Sequence, residues 1–338
     1  MAENAVKQNK VKNSRIFGDY LIMLVAPLVI AVWYYGARAV YAAADDTLRA
    51  VGRVVLDFQA AAAVAGAMIT DIAANLIIRK QYRLKDLSSV YIGAAIAAMM
   101  PAGIPLYIPA LAAAFAVLAV KIPFGGGLRA PFSPVAAGFA FACVCFKEQI
   151  FDYSYNSVDK LLGSASLGSL LAKGNSVRLN SVNLFDIVSG NVAGPMATGC
   201  GIVLIACCAY LFVRRRKALL ATAGFIVTCA VFAAVFPRIN ASAITSVVLE
   251  LSSGSLIFAG VFLLTDLATL PKSSAVRVIY GAVCGVICMT MRRLGAYEEP
   301  VCFAVLLANG LRPVMESALG NAFSKGAKSK PVKVVAGK

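Results

Sequence analysis

The sequence contains no histidine and one tryptophan, and its acidic residues number 16 against 32 lysines and arginines. Each shortage excludes a class of function. Without histidine and without a CxxC pair, a zinc site of the His/Cys type is disfavoured. No GxGxxG turn follows a strand, so the chain has no dinucleotide fold of its own. The glycine run Gly125, Gly126 and Gly127 has no GKS or GKT after it and is not a phosphate loop. Charged residues make up only 14% of the chain, where soluble domains carry roughly 25%. A surface of this size cannot be kept in water by so few charges.

What the sequence does have is apolar length. Hydrophobic residues are 60% of the 338, and mean hydropathy is +0.80. Ten apolar segments stand out, at about 20–42, 54–78, 87–101, 104–121, 131–147, 196–213, 218–237, 244–265, 275–292 and 299–317. The pattern predicts an all-α polytopic membrane protein of about ten transmembrane helices. Residues 1–15 are polar and basic, and the run after them is longer than a signal-peptide core, so it reads as a first span rather than a cleaved leader. The nine cysteines fall in or at the edge of apolar runs, where small buried side chains are their expected role and disulfides are not expected.

The excess of positive charge reads as topology, not as nucleic-acid binding. With the N-terminus inside, 21 lysines and arginines fall in inner segments and nine in outer ones. That bias places both termini in the cytoplasm. The outer segment 148–195 is long, polar and rich in Ser, Gly and Asn, and loops of such length are usually functional or disordered. It divides the chain into a cytoplasmic arm 1–19, a five-helix half 20–147, the external loop 148–195, a second five-helix half 196–317 and a basic cytoplasmic tail 318–338. An odd number of spans per half inverts the second relative to the first, and inverted repeats place sites at their interface near the midplane. The stretches 88–105 and 253–271 are weakly alike.

Three stretches carry a family likeness. KIPFGGGLRAPFSPVAAG (121–138) resembles K-x-x-Y-G-G-L-G-x-N-x-F-N-P-A-x-x-G. SGSLIFAGVFLLTDLATLPKSSAVRVIYGAVCG (253–285) resembles G-x-x-F-x-A-T-D-P-V-T-x-P-x-x-x-x-G-R-x-I-F-G. RRLGAYEEPVCFAVLLANGLRPVMES (292–317) resembles R-x-x-G-x-Y-P-E-G-x-x-F-A-I-L-L-M-N-x-x-x-P-L-I-D. Together, in this order, they resemble RnfD, an integral membrane component of the Rnf complex, and its homologue NqrB of the sodium-pumping NADH:quinone reductase. The length suits the Rnf component better.

The resemblance implies two inverted five-helix repeats of the urea-channel kind. It implies a bacterial inner-membrane complex with other Rnf-type subunits, which moves Na⁺ or H⁺ while passing electrons between ferredoxin and NAD⁺. It also implies a flavin, FMN, esterified to a loop threonine in a D-x-x-[ST]-G-A-T motif, with riboflavin as a further flavin candidate. The corresponding loop reads DKLLGSASLGSLLAKG (159–174). Strict spacing puts Ala165, which has no hydroxyl, at the acceptor position. A shift by one gives Gly163, Ser164, Ala165 and Ser166, with Ser166 as acceptor. Thr198 stands where the family has a glutamate in G-S-x-G-E-T-S. These departures keep two alternatives open: a cofactor-free channel or carrier on the same fold, or the NqrB component of the quinone reductase.

Ionisable residues in or at apolar runs are functional candidates because a charge at mid-bilayer costs at least about 2.5–3.5 kcal/mol. Asp71 lies in the second segment, with Asn75 one turn on and on the same face. The resemblance adds Asp266, Glu299 and Glu316 as acids of cation movement. The competing readings are an interhelical polar contact for Asp71 and helix capping for the other three. Arg292 and Arg293 are headgroup anchors or partners of a flavin phosphate.

Overall fold

The computed structural model of the protein describes residues 15–31, 46–79, 87–126, 128–153, 166–174, 184–189, 194–295 and 299–328. All regular structure among them is helical. In chain order the helices are α1 (15–31), α2 (Asp46–Arg79), α3 (Leu87–Met99), α4 (Tyr107–Phe115, widening into π turns over Ala116–Lys121) and α5 (Pro134–Cys145). Three short helices follow: α6 (Lys147–Ile150), α7 (Leu167–Ala172) and α8 (Leu184–Ser189). Then come α9 (Gly201–Arg215), α10 (Leu219–Val235), α11 (Ala243–Ser252), α12 (Leu256–Phe258, widening over Ala259–Leu263), α13 (Ser274–Leu294) and α14 (Val301–Lys328).

Each of the ten apolar segments contains a helix. Three stretches are long and apolar enough to cross a membrane by themselves: Gln59–Ile77, Ser274–Leu294 and Val301–Leu319. The helices Leu87–Met99, Tyr107–Lys121, Pro134–Cys145 and Leu219–Val235 are apolar but shorter. The chain is a multi-pass membrane protein. The segment 244–265, which the sequence shows as one continuous run, is broken: α11 and α12 meet at 71° across Ser253, Gly254 and Ser255. Gly254 takes φ +63° there, a conformation that costs glycine nothing.

The centre of the molecule is occupied by two short helices. Every residue of α12 is buried apart from Ile257, and so is nearly every residue of α3. Around them the longer helices pack at very close range through glycine. A Cβ on Gly66 of α2 would lie 2.6 Å from the Ala110 carbonyl oxygen of α4. In α10 and α13 the approach is reciprocal: a Cβ on Gly224 would strike the Val278 carbonyl, and one on Gly281 the Ala221 carbonyl. Such contacts suit a membrane, where helices associate through van der Waals packing of small residues rather than through expulsion of water.

The ends of the central helices carry backbone groups that no continuing helix satisfies, and the protein itself supplies the partners. Beyond α3, the buried segment 194–198 turns inward, so that Met196 N–H donates to Met100 O and Ala197 N–H to Ala98 O, both at 2.9 Å. Gln59 Nε2 donates to Pro101 O at 3.1 Å. At the far end of α12, Tyr91 Oη donates to Phe262 O and Tyr20 Oη to Thr265 O. All nine cysteines are free thiols, six of them buried.

If close approach at glycine holds α10 against α13, Gly281→Ala will lower the stability of the detergent-solubilised protein by about 1–3 kcal/mol. Gly18→Ala on α1, where a Cβ meets nothing within 4 Å, will leave it unchanged or slightly raised. Thermal melting of the two variants side by side checks this, and equal melting would contradict it.

Candidate functional site

The break between α11 and α12 exposes the N-terminus of α12, and Glu299, just ahead of α14, fills it. Its carboxylate accepts the Ser255 N–H at 2.9 and 3.1 Å and the Ser255 Oγ–H at 2.5 Å. Gly254 makes room for this: a Cβ there would collide with Glu299 Oε1. A carboxylate at a helix N-terminus is favoured by the backbone dipole and by the unsatisfied N–H groups. Glu299 therefore caps a helix other than its own and fixes the bend.

Beside it lies a second buried group. The Arg292 guanidinium, at the end of α13, donates to Glu250 O at 2.9 Å, to Ser253 O at 2.7 Å and to Glu250 Oε2 at 3.4 Å. Arg238 grips the same carboxylate with Nε at 2.5 Å and Nη2 at 2.7 Å. Arg292 is neither a headgroup anchor nor a phosphate partner in this arrangement; it closes the last turn of α11. Among the described residues, its Nε and the buried Ser253 Oγ have no hydrogen-bond partner.

At the opposite end of α12 the chain turns at Asp266. Asp266 Oδ1 accepts the Ala268 N–H at 3.1 Å. Burial pushes the Asp266 carboxyl up to about 6, the Ala268 N–H partly offsetting it. Arg312 of α14 donates to Ala268 O at 2.7 Å, and Glu316, one turn on, accepts the Lys272 N–H at 2.9 Å. So α12 has Glu299 at one end, and Asp266 and Glu316 share the turn at the other.

Asp71 belongs to a different cluster. Its Oδ2 is 3.0 Å from Lys121 Nζ and accepts from Ser89 Oγ at 2.9 Å, while Asn75 Nδ2 donates to Oδ1 at 3.1 Å. Lys121, the last residue of the apolar run 104–121, is buried at the end of α4. Sequence reasoning misses Glu250, Arg238 and Lys121. Only Glu250 carries a plain signal, an acid inside an apolar run. Among the described residues, no group of three or more His, Cys, Asp or Glu side chains could hold a metal ion.

The flavin candidates are separated. Ser166 is buried, its Oγ accepting the Ser169 N–H at 3.0 Å as the N-cap of α7. That helix packs its leucines against Ile187, Ile239 and Leu249 in a satellite core. Thr198, buried in the segment pinned to α3, donates to Pro195 O at 3.3 Å. Gly163 and Ser164 lie outside the described residues. A hydroxyl that is buried and turned onto its own helix does not fit the role of a phosphoester acceptor.

Asp266 has a carboxyl raised in the folded protein, so it favours the fold while protonated and loses that contribution as pH rises through about 6. Asp266→Asn will melt like the parent only near pH 3, below both the unfolded and folded values, and above it at pH 7, by up to roughly 3 kcal/mol; parallel pH profiles would contradict this. Glu299→Gln will lose about 1.5–3 kcal/mol of charged hydrogen bonding at Ser255. Gly254→Ala will be far more damaging beside Glu299 than in a Glu299→Ser background, and equal damage in both would disprove the clamp.

A family model described as the NQR2, RnfD, RnfE family matches residues 1–323. The chain is 25% identical over 355 residues to the D subunit of an ion-translocating oxidoreductase complex of Salmonella arizonae, covering 94% of this chain and 95% of that relative. It is 26% identical over 272 residues to the D subunit of the Na⁺-translocating ferredoxin:NAD⁺ oxidoreductase complex of Acetobacterium woodii, covering 79% and 83%. The match to the family model spans the central helices, their breaks and the buried acids alike, and the chain belongs to the NQR2, RnfD, RnfE family.

Proposed function

We propose that the chain is the RnfD component of an Rnf-type, redox-driven cation translocase, which passes electrons between ferredoxin and NAD⁺ in the bacterial inner membrane. The observation that carries this reading is the family match over residues 1–323, together with the nearly full-length alignment to the Salmonella arizonae relative. Cover of that whole relative favours the Rnf complex over the quinone reductase.

In this reading the protein contains ten spans in two inverted halves, with both termini inside. The glycine contacts support it: the second and fourth helices of each half cross in the same way, Gly66 on Ala110 and Gly224 on Val278. The third element of each half, α3 and α12, is a short buried helix. Glu299 holds the outer end of α12, and Asp266 and Glu316 stand at its inner end. Carboxylate oxygens at those ends suit a hard monovalent cation or a proton. Burial raises the Asp266 carboxyl toward neutral pH.

Bound FMN would supply one- and two-electron chemistry on the outer side. Ser166, buried as the cap of α7, does not fit as its anchor. That misfit favours a second reading, a cofactor-free carrier on the same fold.

The test is assembly. A tagged chain expressed with its complex will copurify with the other subunits, and vesicles will show ferredoxin-dependent NAD⁺ reduction with cation uptake. Reporter fusions after Lys217 and within 160–190 will report inside and outside. A chain that purifies alone and conducts without redox partners would overturn the redox reading.

A further inference from the structure

We propose that Asp71 and Ser89 form a cation site whose resting occupant is the Lys121 ammonium, displaced when a translocated monovalent cation binds. The inference rests on the ion-translocating reading above and adds a site and a residue to it. The geometry is that of an occupied cation position. Asp71 Oδ2 and Ser89 Oγ are 2.9 Å apart, and Lys121 Nζ lies 3.0 Å from the first and 2.5 Å from the second. Asn75 holds the other carboxylate oxygen, Oδ1, which leaves Oδ2 directed at the ammonium. Three helices meet here: Asp71 comes from the second half of α2, Ser89 from the first turn of α3 and Lys121 from the end of α4. The Lys121 and Asp71 side chains are only 3% and 7% exposed.

A buried ion pair is poor evidence of a device for stability, because apolar residues of the same volume serve as well or better. The choice of lysine is informative. A lysine can lose its proton in surroundings of low polarity, whereas an arginine stays charged. The chain uses both. At the break of α11, Glu250 is held by two guanidiniums, Arg238 and Arg292, which can only be fixed counter-charges. At α3 the counter-charge is a lysine. Lys121 also closes the π turns of α4, and such wide turns recur at functional sites.

The exchange conserves charge. The ammonium gives its proton to water, a Na⁺ arrives from water, and Na⁺ on the carboxylate replaces the ammonium on the carboxylate. The pair carries no net charge before or after. The neutral amine gains a lone pair directed at the incoming cation. No electron donor or acceptor is needed for this step.

The test uses the full chain in detergent and its complex in vesicles. Lys121→Met leaves the carboxylate without its tethered cation, so its melting temperature will rise by several degrees in NaCl over choline chloride at equal ionic strength. In Lys121→Met with Asp71→Asn that sodium response will vanish. In the complex, Lys121→Arg keeps the charge pair but cannot release a proton, so cation uptake per electron transferred will be lost. If the single and double variants respond alike to sodium, or if Lys121→Arg translocates as the parent does, the site is a structural ion pair and the inference is wrong. Should Lys121→Met not fold, the Lys121→Arg ratio decides alone. If the parent complex takes up no cation at all, the translocase reading fails, and sodium-dependent melting of Lys121→Met still judges the site.

Discussion

A polypeptide in hydrocarbon must satisfy every backbone N–H and C=O from within the protein. The architecture follows from that constraint, because this chain interrupts its helices where membrane proteins usually keep them whole. The end of α3 and the break before α12 each release backbone groups, and each is met by a specific partner. Segment 194–198 and Gln59 take the carbonyls after α3. Glu299 takes the N–H of Ser255, and Arg292 takes the carbonyls of Glu250 and Ser253. Tyr20 and Tyr91 take the carbonyls at the far end of α12. The close glycine crossings of α2 with α4 and of α10 with α13 then enclose these broken elements in protein, away from lipid.

The buried charges are consequences of the same breaks. A helix N-terminus deep in protein attracts a carboxylate, and a buried carboxylate requires donors or a cation. Glu299 is satisfied at the start of α12 by N–H and O–H groups, and Glu250 by two guanidiniums. Asp266 receives one backbone N–H and sits in a place where burial raises its carboxyl toward neutral pH. Stiffly held acids fix the frame. The acid with fewer fixed donors is the one whose own charge can change, and the acid paired with a lysine is the one whose counter-cation can be exchanged. This division of labour gives α12 a clamped end and a titrating end, and gives α3 an exchangeable pair at its start.

Much of the helix order is legible in the sequence because apolar runs report directly on burial in lipid. The Asp71–Asn75 contact is legible too, since residues four apart share a helix face. The break in the 244–265 run is hidden. Ser253, Gly254 and Ser255 interrupt the apolar run too briefly to mark a break, and their effect depends on Glu299, which lies 44 residues away from the hydrogen-bonded Ser255. The role of Lys121, at the end of the apolar run 104–121, is hidden for a similar reason. Its partner Asp71 is 50 residues distant, and only the crossing of α2 with α4 brings them together. Arg292 carries two readings in the sequence, and Glu250 replaces both by a proximity that no local pattern encodes. Ser166 is the right residue type in the right loop, but its hydroxyl serves as a helix cap, a role set by the short helix that follows.

The central claim is that α12, with acids at both ends, lies on the path of the cation. Uptake of radiolabelled sodium per electron transferred, measured in vesicles carrying the complex with Asp266→Asn against the parent, tests it most directly. The account predicts that the ratio falls sharply in the variant. An unchanged ratio would contradict it and would leave Asp266 as a buried cap of the turn that follows α12.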